Sequence, residues 1–151
     1  LYVANDFGRN NLYQNVTGPD GVARFQDLAG MAGVEDIAPG MSACWGDFNN
    51  DGNPDLYVSN MFSSAGHRVS SQERFHEGAS SQIKEQFRRH ARGNSLFMNS
   101  GDGQFSDVSI QSGVSIGRWA WASKFTDLDG DGWEDIVVAN GFITQQDSGD
   151  L

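Results

Sequence analysis

Residues 127–140 read DLDGDGWEDIVVAN, and residues 47–60 repeat the same pattern as DFNNDGNPDLYVSN. In both stretches an acidic, glycine-containing loop leads into a short segment of apolar, mostly β-branched or aromatic residues, which is typical of a strand. The two copies stay in register over most of the chain, since Phe25 matches Phe105 as Asp47 matches Asp127. Such self-similarity at a fixed spacing indicates a repeat architecture.

Other short segments recur in the same order, each bounded by Gly, Asn or Asp, which are turn signals. They are residues 1–5, 56–60 and 136–140 for one strand, residues 11–15 and 95–99 for the next, residues 25–28 and 105–108 for a third, and residues 42–48 and 122–128 for a fourth. Gly101-Asp102-Gly103 separates two of these strands and predicts a tight hairpin turn, because Gly and Asp tolerate positive φ.

One repeat thus supplies four strands joined by hairpins, and we predict an all-β chain built from four-stranded antiparallel β-propeller blades. We expect a half blade in residues 1–40, a full blade in residues 41–108 and a second half blade in residues 109–151. Propellers close with about four to eight blades. We therefore expect a partial propeller of about two blades, a piece of a longer chain or a processed product.

An insertion at residues 61–92 interrupts the full blade and has no counterpart in the first copy. It holds six of the ten basic residues and all three histidines, and Ile83 and Phe87 lie four apart as on one helix face. We predict a loop with a short helix near residues 80–90, capping one end of the blade. Its basic residues could dock on an acidic partner, although a solvated face is the favoured interpretation.

The net charge, the length of the apolar runs and the cysteine count exclude several classes of protein. Twenty acidic residues face ten basic ones, a net charge of −10, which argues against binding to phosphate backbones. No apolar run reaches the roughly 18–20 residues of a membrane helix, so we predict no membrane span. The single cysteine, Cys44, excludes an internal disulfide.

The two acidic loops share the form D-x-[DN]-x-D-G-x-x-D, which places oxygen ligands at alternate positions around a sharp glycine turn. We predict two Ca²⁺ sites, with side-chain ligands at positions 1, 3, 5 and 9 and a backbone carbonyl at position 7. The ligands are Asp47, Asn49, Asp51, Asp55 and the carbonyl of Asn53, then Asp127, Asp129, Asp131, Asp135 and the carbonyl of Trp133.

These loops differ from the helical EF-hand, which needs a bidentate Glu at position 12, where this chain has Val58 or Val138. A plain polar hairpin with Asx-turns is the alternative interpretation. Because the motif occurs at the same place in two repeats, we favour the calcium site over the plain hairpin.

Other candidates for chemistry are weaker. His67, His76 and His90 lack a paired metal-ligand spacing, so we favour solvated histidines over a transition-metal or catalytic site. No Gly-x-Ser-x-Gly elbow is present, and we predict a protein that is not an enzyme. Trp119 and Trp121 alternate with alanines, and core packing is favoured over a carbohydrate-stacking platform.

The loop and strand of residues 127–141 resemble the FG-GAP/VCBS repeat of integrin-α-like β-propellers. Residues 118–125, RWAWASKF, resemble more narrowly the ASPIC/UnbV and cartilage-acidic-protein group. The resemblance implies a propeller of seven or eight blades, calcium between the first two strands of a blade, and a secreted, extracellular or periplasmic setting. It also implies a binding or adhesion module without a shared active site.

We therefore expect a calcium-binding propeller segment that serves binding, adhesion or scaffolding outside the cytoplasm. Its expected partners are an unidentified protein or carbohydrate ligand, neighbouring subunits, or the remainder of the propeller. Two alternatives stay open: a structural subunit whose blades are completed by other chains, and the non-catalytic platform of a larger secreted enzyme.

Overall fold

The structure, a computed structural model, describes residues 1–141, which form nine short strands and three helices. In chain order they are β1 (Tyr2–Val3), β2 (Asn11–Asn15), β3 (Phe25–Asp27), α1 (Ala29–Ala32), β4 (Gly40–Gly46), β5 (Asp55–Asn60), α2 (Ser64–Ser70), α3 (Ser81–Arg92), β6 (Ser95–Asn99), β7 (Phe105–Asp107), β8 (Ala120–Thr126) and β9 (Asp135–Asn140).

The strands form three antiparallel sheets with the orders β1-β2-β3, β4-β5-β6-β7 and β8-β9. The second sheet is a four-stranded meander, so the all-β fold of a partial propeller is confirmed. The first sheet contributes three strands and the last sheet contributes two within residues 1–141. The predicted division into blades at residues 40 and 108 stays a prediction, and residues 142–151 of its last segment lie outside the described residues.

Strand β5 is buried over its whole length, because the neighbouring sheets cover both of its faces. Leu56 and Val58 point to one side and pack around Val34 in the apolar cluster that joins the first two sheets. Tyr57 points to the other side and meets Phe125 of the third sheet edge-on, with ring centroids 6.3 Å apart. The alternation of side chains along one strand therefore holds three sheets together.

Gly46, the last residue of β4, lies where the second and third sheets approach most closely. A Cβ at this position would overlap both the Phe125 ring and the Glu134 carboxylate. Next to it, Ser123 of β8 lies 3.4 Å from both the Ser42 hydroxyl and the Cys44 sulfur. The interface between these sheets thus depends on a residue without a side chain.

The insertion at residues 61–92 forms two helices, of which the sequence predicted one. The helix near residues 80–90 is confirmed as α3, which begins after Ser80, whose hydroxyl accepts a hydrogen bond from the Ile83 N–H. Helix α2 lies where we predicted a loop, since its sequence SAGHRVS lacks apolar periodicity. It is held by the Ser63 cap on the Gly66 N–H and by close packing on α3, where a Cβ at Gly66 would touch Ala91.

Helix α3 is fixed to the blade by its arginines. Arg89 Nε lies 3.3 Å from a carboxylate oxygen of Asp36, which is fully buried, and its guanidinium lies 5.6 Å from the Phe97 ring centroid. Arg92 donates to Asp107 at 2.9 Å. For these two residues the solvated face that we favoured is wrong, because they pair with acidic residues of the same chain.

No helix within residues 1–141 has the length and hydrophobicity needed to cross a membrane.

Replacing Gly46 by Ala is expected to lower the free energy of unfolding by about 1–3 kcal/mol, since the added methyl overpacks the interface of the second and third sheets. Gly30→Ala in α1 is the matched control, because the nearest atom to its added Cβ lies 4.0 Å away. Urea unfolding of both variants measures the difference. Equal stability of the two variants would contradict the close approach at Gly46.

A second expectation concerns the pH dependence of stability. Burial favours the neutral form of Asp107, but hydrogen bonds from Ser109 and Arg92 favour the carboxylate more strongly, so the pKa of Asp107 is lowered. A lowered folded-state pKa stabilises the fold above the unfolded pKa of about 3.9, and this stability is lost as the pH falls through the folded pKa.

Between about pH 5 and pH 3, Asp107→Asn should therefore lose less stability than the wild type, while Asp6→Asn at an exposed position should follow the wild type. Urea unfolding at a series of pH values tests this difference. A steeper loss in Asp107→Asn than in the wild type would reverse the assigned sign.

Candidate metal centre

The two acidic loops occupy equivalent hairpins at the same end of their sheets. Loop 1 (residues 47–55) connects β4 to β5, and loop 2 (residues 127–135) connects β8 to β9. The strand register pairs Gly46 with Asp55 and Thr126 with Asp135. Position 9 of each loop is therefore anchored as the first residue of a strand, while positions 1–8 form the turn.

Each loop contains two residues in the left-handed region, at positions 4 and 6. In loop 1 these are Asn50 (φ 54°) and Gly52 (φ 85°), and in loop 2 they are Gly130 (φ 79°) and Gly132 (φ 88°). Asn and Gly are the residues that adopt this conformation most readily. The chain therefore wraps tightly, and it does so in the same way in both repeats.

The aspartate at position 1 organises the turn. Asp47 accepts hydrogen bonds from the N–H groups of Asp51 at 3.0 Å and Gly52 at 2.8 Å. Asp127 accepts the equivalent pair, from positions 5 and 6 of loop 2, at 3.1 and 2.9 Å. One carboxylate thus fixes two backbone amides in loop 1 and three in loop 2, where Asp127 also accepts the Gly130 N–H at 2.7 Å.

The side chains at positions 3, 5 and 9 also accept equivalent backbone hydrogen bonds in the two loops. The side chain at position 3 accepts from the position 5 N–H, that at position 5 from the position 7 N–H, and that at position 9 from the position 2 N–H. These are the Asx-type contacts of the alternative interpretation. They use only some of the roughly four acceptor positions of a carboxylate, so the remaining ones are open to a cation.

Three carboxylates of loop 2 converge on one point. Asp127, Asp129 and Asp135 each offer an oxygen within 4.8 Å of the others. Two oxygens that bind one Ca²⁺ at about 2.3–2.6 Å can lie at most about 5 Å apart, so the set fits a single ion. Asp131 is outside this group.

Loop 1 offers a related but less acidic set, because position 3 is Asn49. The amide nitrogen of Asn49 donates to Asp51 at 2.9 Å. Its carbonyl oxygen accepts the Asp51 N–H at 3.2 Å and is a ligand type that Ca²⁺ also accepts. At positions 1, 3 and 9 loop 1 thus has two carboxylates and one amide where loop 2 has three carboxylates, and within residues 1–141 only loop 2 brings three acidic side chains together.

Asp55 is the buried member of the predicted ligands. Its side chain is fully buried, and its second carboxylate oxygen accepts the Asn99 N–H from β6 at 2.8 Å. Burial raises the pKa of Asp55; the hydrogen bonds from Asn99 and Phe48 oppose this, and the charges of Asp51 and Asp47 add to it. A bound cation would offset the unfavourable burial of this charge.

The four aspartates of loop 2 are exposed, and so is Asp51 of loop 1, whereas Glu134 is partly buried. Hydrogen bonds from the Asn53 N–H and the Asn49 amide lower the pKa of Asp51, which keeps it charged at neutral pH. The backbone N–H groups of Asn53 and Trp133, the two predicted carbonyl ligands, donate to position 5 of their own loops at 2.8 Å.

The loops also touch each other. A carboxylate oxygen of Glu134 in loop 2 accepts the Asp47 N–H of loop 1 at 2.7 Å, and the Asn50 amide donates to the Gly132 carbonyl at 3.1 Å. Sequence reasoning missed the role of Glu134. Its only signal was an acidic residue between two predicted ligands, and that signal does not identify the amide it contacts.

The three histidines lie apart from this centre and, within residues 1–141, form no cluster with other potential metal ligands. His76 stacks on Phe87 with ring centroids 4.8 Å apart, and His90 Nδ1 lies 2.9 Å from the Ile37 carbonyl. The histidine-based metal site is therefore not formed in the described part of the chain.

Trp119 and Trp121 are 41% and 44% exposed, with ring centroids 6.5 Å apart. The core packing that we favoured for them is therefore wrong in the described part of the chain.

Comparison with known protein families supports the repeat. The family model of the FG-GAP-like repeat matches residues 87–138, which include the C-terminal half of α3, strands β6, β7 and β8, and loop 2. The FG-GAP repeat model matches residues 39–72, which include β4, loop 1 and β5. No curated protein matches the chain. Since both matches include one of the two structurally equivalent loops and its flanking strands, the chain is an FG-GAP repeat protein.

Proposed function

We propose that this chain is a calcium-binding β-propeller segment that serves extracellular or periplasmic binding, adhesion or scaffolding and has no catalytic role of its own. FG-GAP repeats indicate a β-propeller-like binding or adhesion module. The calcium, the location and the adhesive role are the parts that this proposal adds.

The convergence of Asp127, Asp129 and Asp135 is the observation that carries the proposal. Three carboxylates held this close repel one another, and a divalent cation converts that repulsion into attraction. Ca²⁺ accepts six to eight oxygens in flexible geometry, whereas Mg²⁺ prefers few carboxylates and retains its waters. A short backbone loop with carboxylate ligands therefore favours Ca²⁺.

A location outside the cytoplasm is the second part of the proposal, and it fits a weak calcium site. Extracellular calcium modules bind with dissociation constants of about 10⁻⁴–10⁻³ M, far weaker than cytosolic sensors. An exposed loop whose carboxylates already accept backbone hydrogen bonds suits this weaker range. The resemblance of residues 118–125 to the ASPIC/UnbV and cartilage-acidic-protein group agrees with the same setting and belongs to the same proposal.

Calcium is expected to raise the melting temperature of the full chain, because an ion that binds only the folded state stabilises it by about 2.7 kcal/mol at a concentration of 100 times the dissociation constant. Removal by EDTA should lower the melting temperature again. Mg²⁺ at the same ionic strength should have a smaller effect. Calorimetry in the three conditions measures this.

The double variant Asp127→Asn/Asp129→Asn should lose most of the calcium-dependent rise in melting temperature that loop 2 contributes, because it removes two of the three converging carboxylates. Asp102→Asn is the matched control, since Asp102 is an exposed acid in the turn between β6 and β7 whose contact with the Gln104 N–H an asparagine can keep. Equal melting temperatures in calcium and EDTA, together with unchanged hydrogen exchange in residues 47–55 and 127–135, would exclude the calcium role.

A further inference from the structure

We propose that Glu134 couples the two loops, so that metal in one loop raises the affinity of the other. This inference rests on the proposed calcium function and adds a regulatory contact between the sites. The coupling route is the hydrogen bond from the Asp47 N–H to the Glu134 carboxylate, 2.7 Å long and spanning 87 residues of sequence.

Glu134 is placed so that metal in loop 2 fixes it. It lies between Trp133, whose carbonyl is a predicted ligand, and Asp135, whose carboxylate belongs to the converging set. A metal bound on both sides of one residue restricts the backbone of that residue. The carboxylate of Glu134 is then held at one position relative to loop 1.

The backbone N–H that Glu134 binds belongs to Asp47, which is itself a predicted metal ligand of loop 1. The side chain of Asp47 organises loop 1 through two hydrogen bonds. The contact between Asn50 and the Gly132 carbonyl joins the same two loops at a second point, 3.1 Å long. Ordering of either loop therefore reduces the conformational freedom that the other loop must lose on binding metal.

The contact between the loops depends on Gly46 and Glu134, neither of which belongs to the D-x-[DN]-x-D-G-x-x-D motif. Gly46 leaves the space that the Glu134 carboxylate occupies, since a Cβ there would overlap it. The residue of loop 1 equivalent to Glu134 is Pro54, which has no acceptor side chain. The coupling therefore comes from the contact between these two loops, and the loop motif alone would not produce it.

Terbium(III), which substitutes for Ca²⁺ and emits after energy transfer from a nearby indole, can report on loop 2 through Trp133 in the full chain. Trp133→Phe assigns the signal, because it should remove the emission while calorimetry still detects binding. The affinity of loop 2 is then compared between the wild type and Asp47→Asn/Asp51→Asn, in which loop 1 is disabled. We expect loop 2 to bind at least about 5-fold more weakly in that variant, the lower end of typical coupling between sites.

In the Glu134→Ala background, disabling loop 1 should leave the affinity of loop 2 unchanged. In the Glu134→Gln background, disabling loop 1 should still weaken metal binding by loop 2, because the glutamine amide oxygen can accept the Asp47 N–H. Circular dichroism checks that each variant is folded, and Asp51→Asn alone replaces the double variant if that one is not.

Three results overturn the inference, and a fourth overturns its basis. Equal loop 2 affinity with and without loop 1 would exclude coupling. A difference that persists in Glu134→Ala would exclude this route, and a loss in Glu134→Gln would exclude the hydrogen bond as its carrier. Absence of indole-sensitised emission from the wild type, with no heat of calcium binding, would instead refute the proposed calcium function.

Discussion

The burial of β5 on both faces is the constraint on which the rest of the structure depends. Leu56 and Tyr57 point in opposite directions into two different sheet interfaces, so this strand cannot shift by one residue without exchanging its partners. Asp55 begins the strand and also closes loop 1. Fixing the strand therefore fixes the innermost acidic group of the loop, including its contacts to Phe48 and Asn99.

Comparison of the two loops separates what the local sequence determines from what packing determines. The side chains at positions 1, 3, 5 and 9 accept the backbone N–H groups of positions 2, 5, 6 and 7 in both loops, although one side-chain position differs, Asn49 against Asp129. Burial differs between them: Asp55 is covered by β6, whereas Asp135 is exposed. Loop geometry is therefore local, while the electrostatic cost of its charges depends on the neighbouring strands.

The same distinction explains how much could be predicted from the sequence. Strands, hairpins and acidic loops follow from short-range patterns, and the repeat made them recognisable twice. The contacts of Glu134 with Asp47 and of Arg89 with Asp36 span 87 and 53 residues, and no local pattern encodes such pairings. Helix α2 was missed for a related reason, because its stability comes from a cap and from packing on α3.

The insertion leaves the sheet undisturbed because its two ends are tied together. Asn60, the last residue of β5, donates its backbone N–H to the side-chain oxygen of Asn94 at 2.8 Å and its side-chain amide to the Gly93 carbonyl at 2.9 Å. The chain thus leaves and re-enters the blade at one point, so β5 and β6 pair as a direct hairpin would allow. Since loop 1 precedes β5 and the insertion follows it, the basic insertion and loop 1 lie at opposite ends of the same strand.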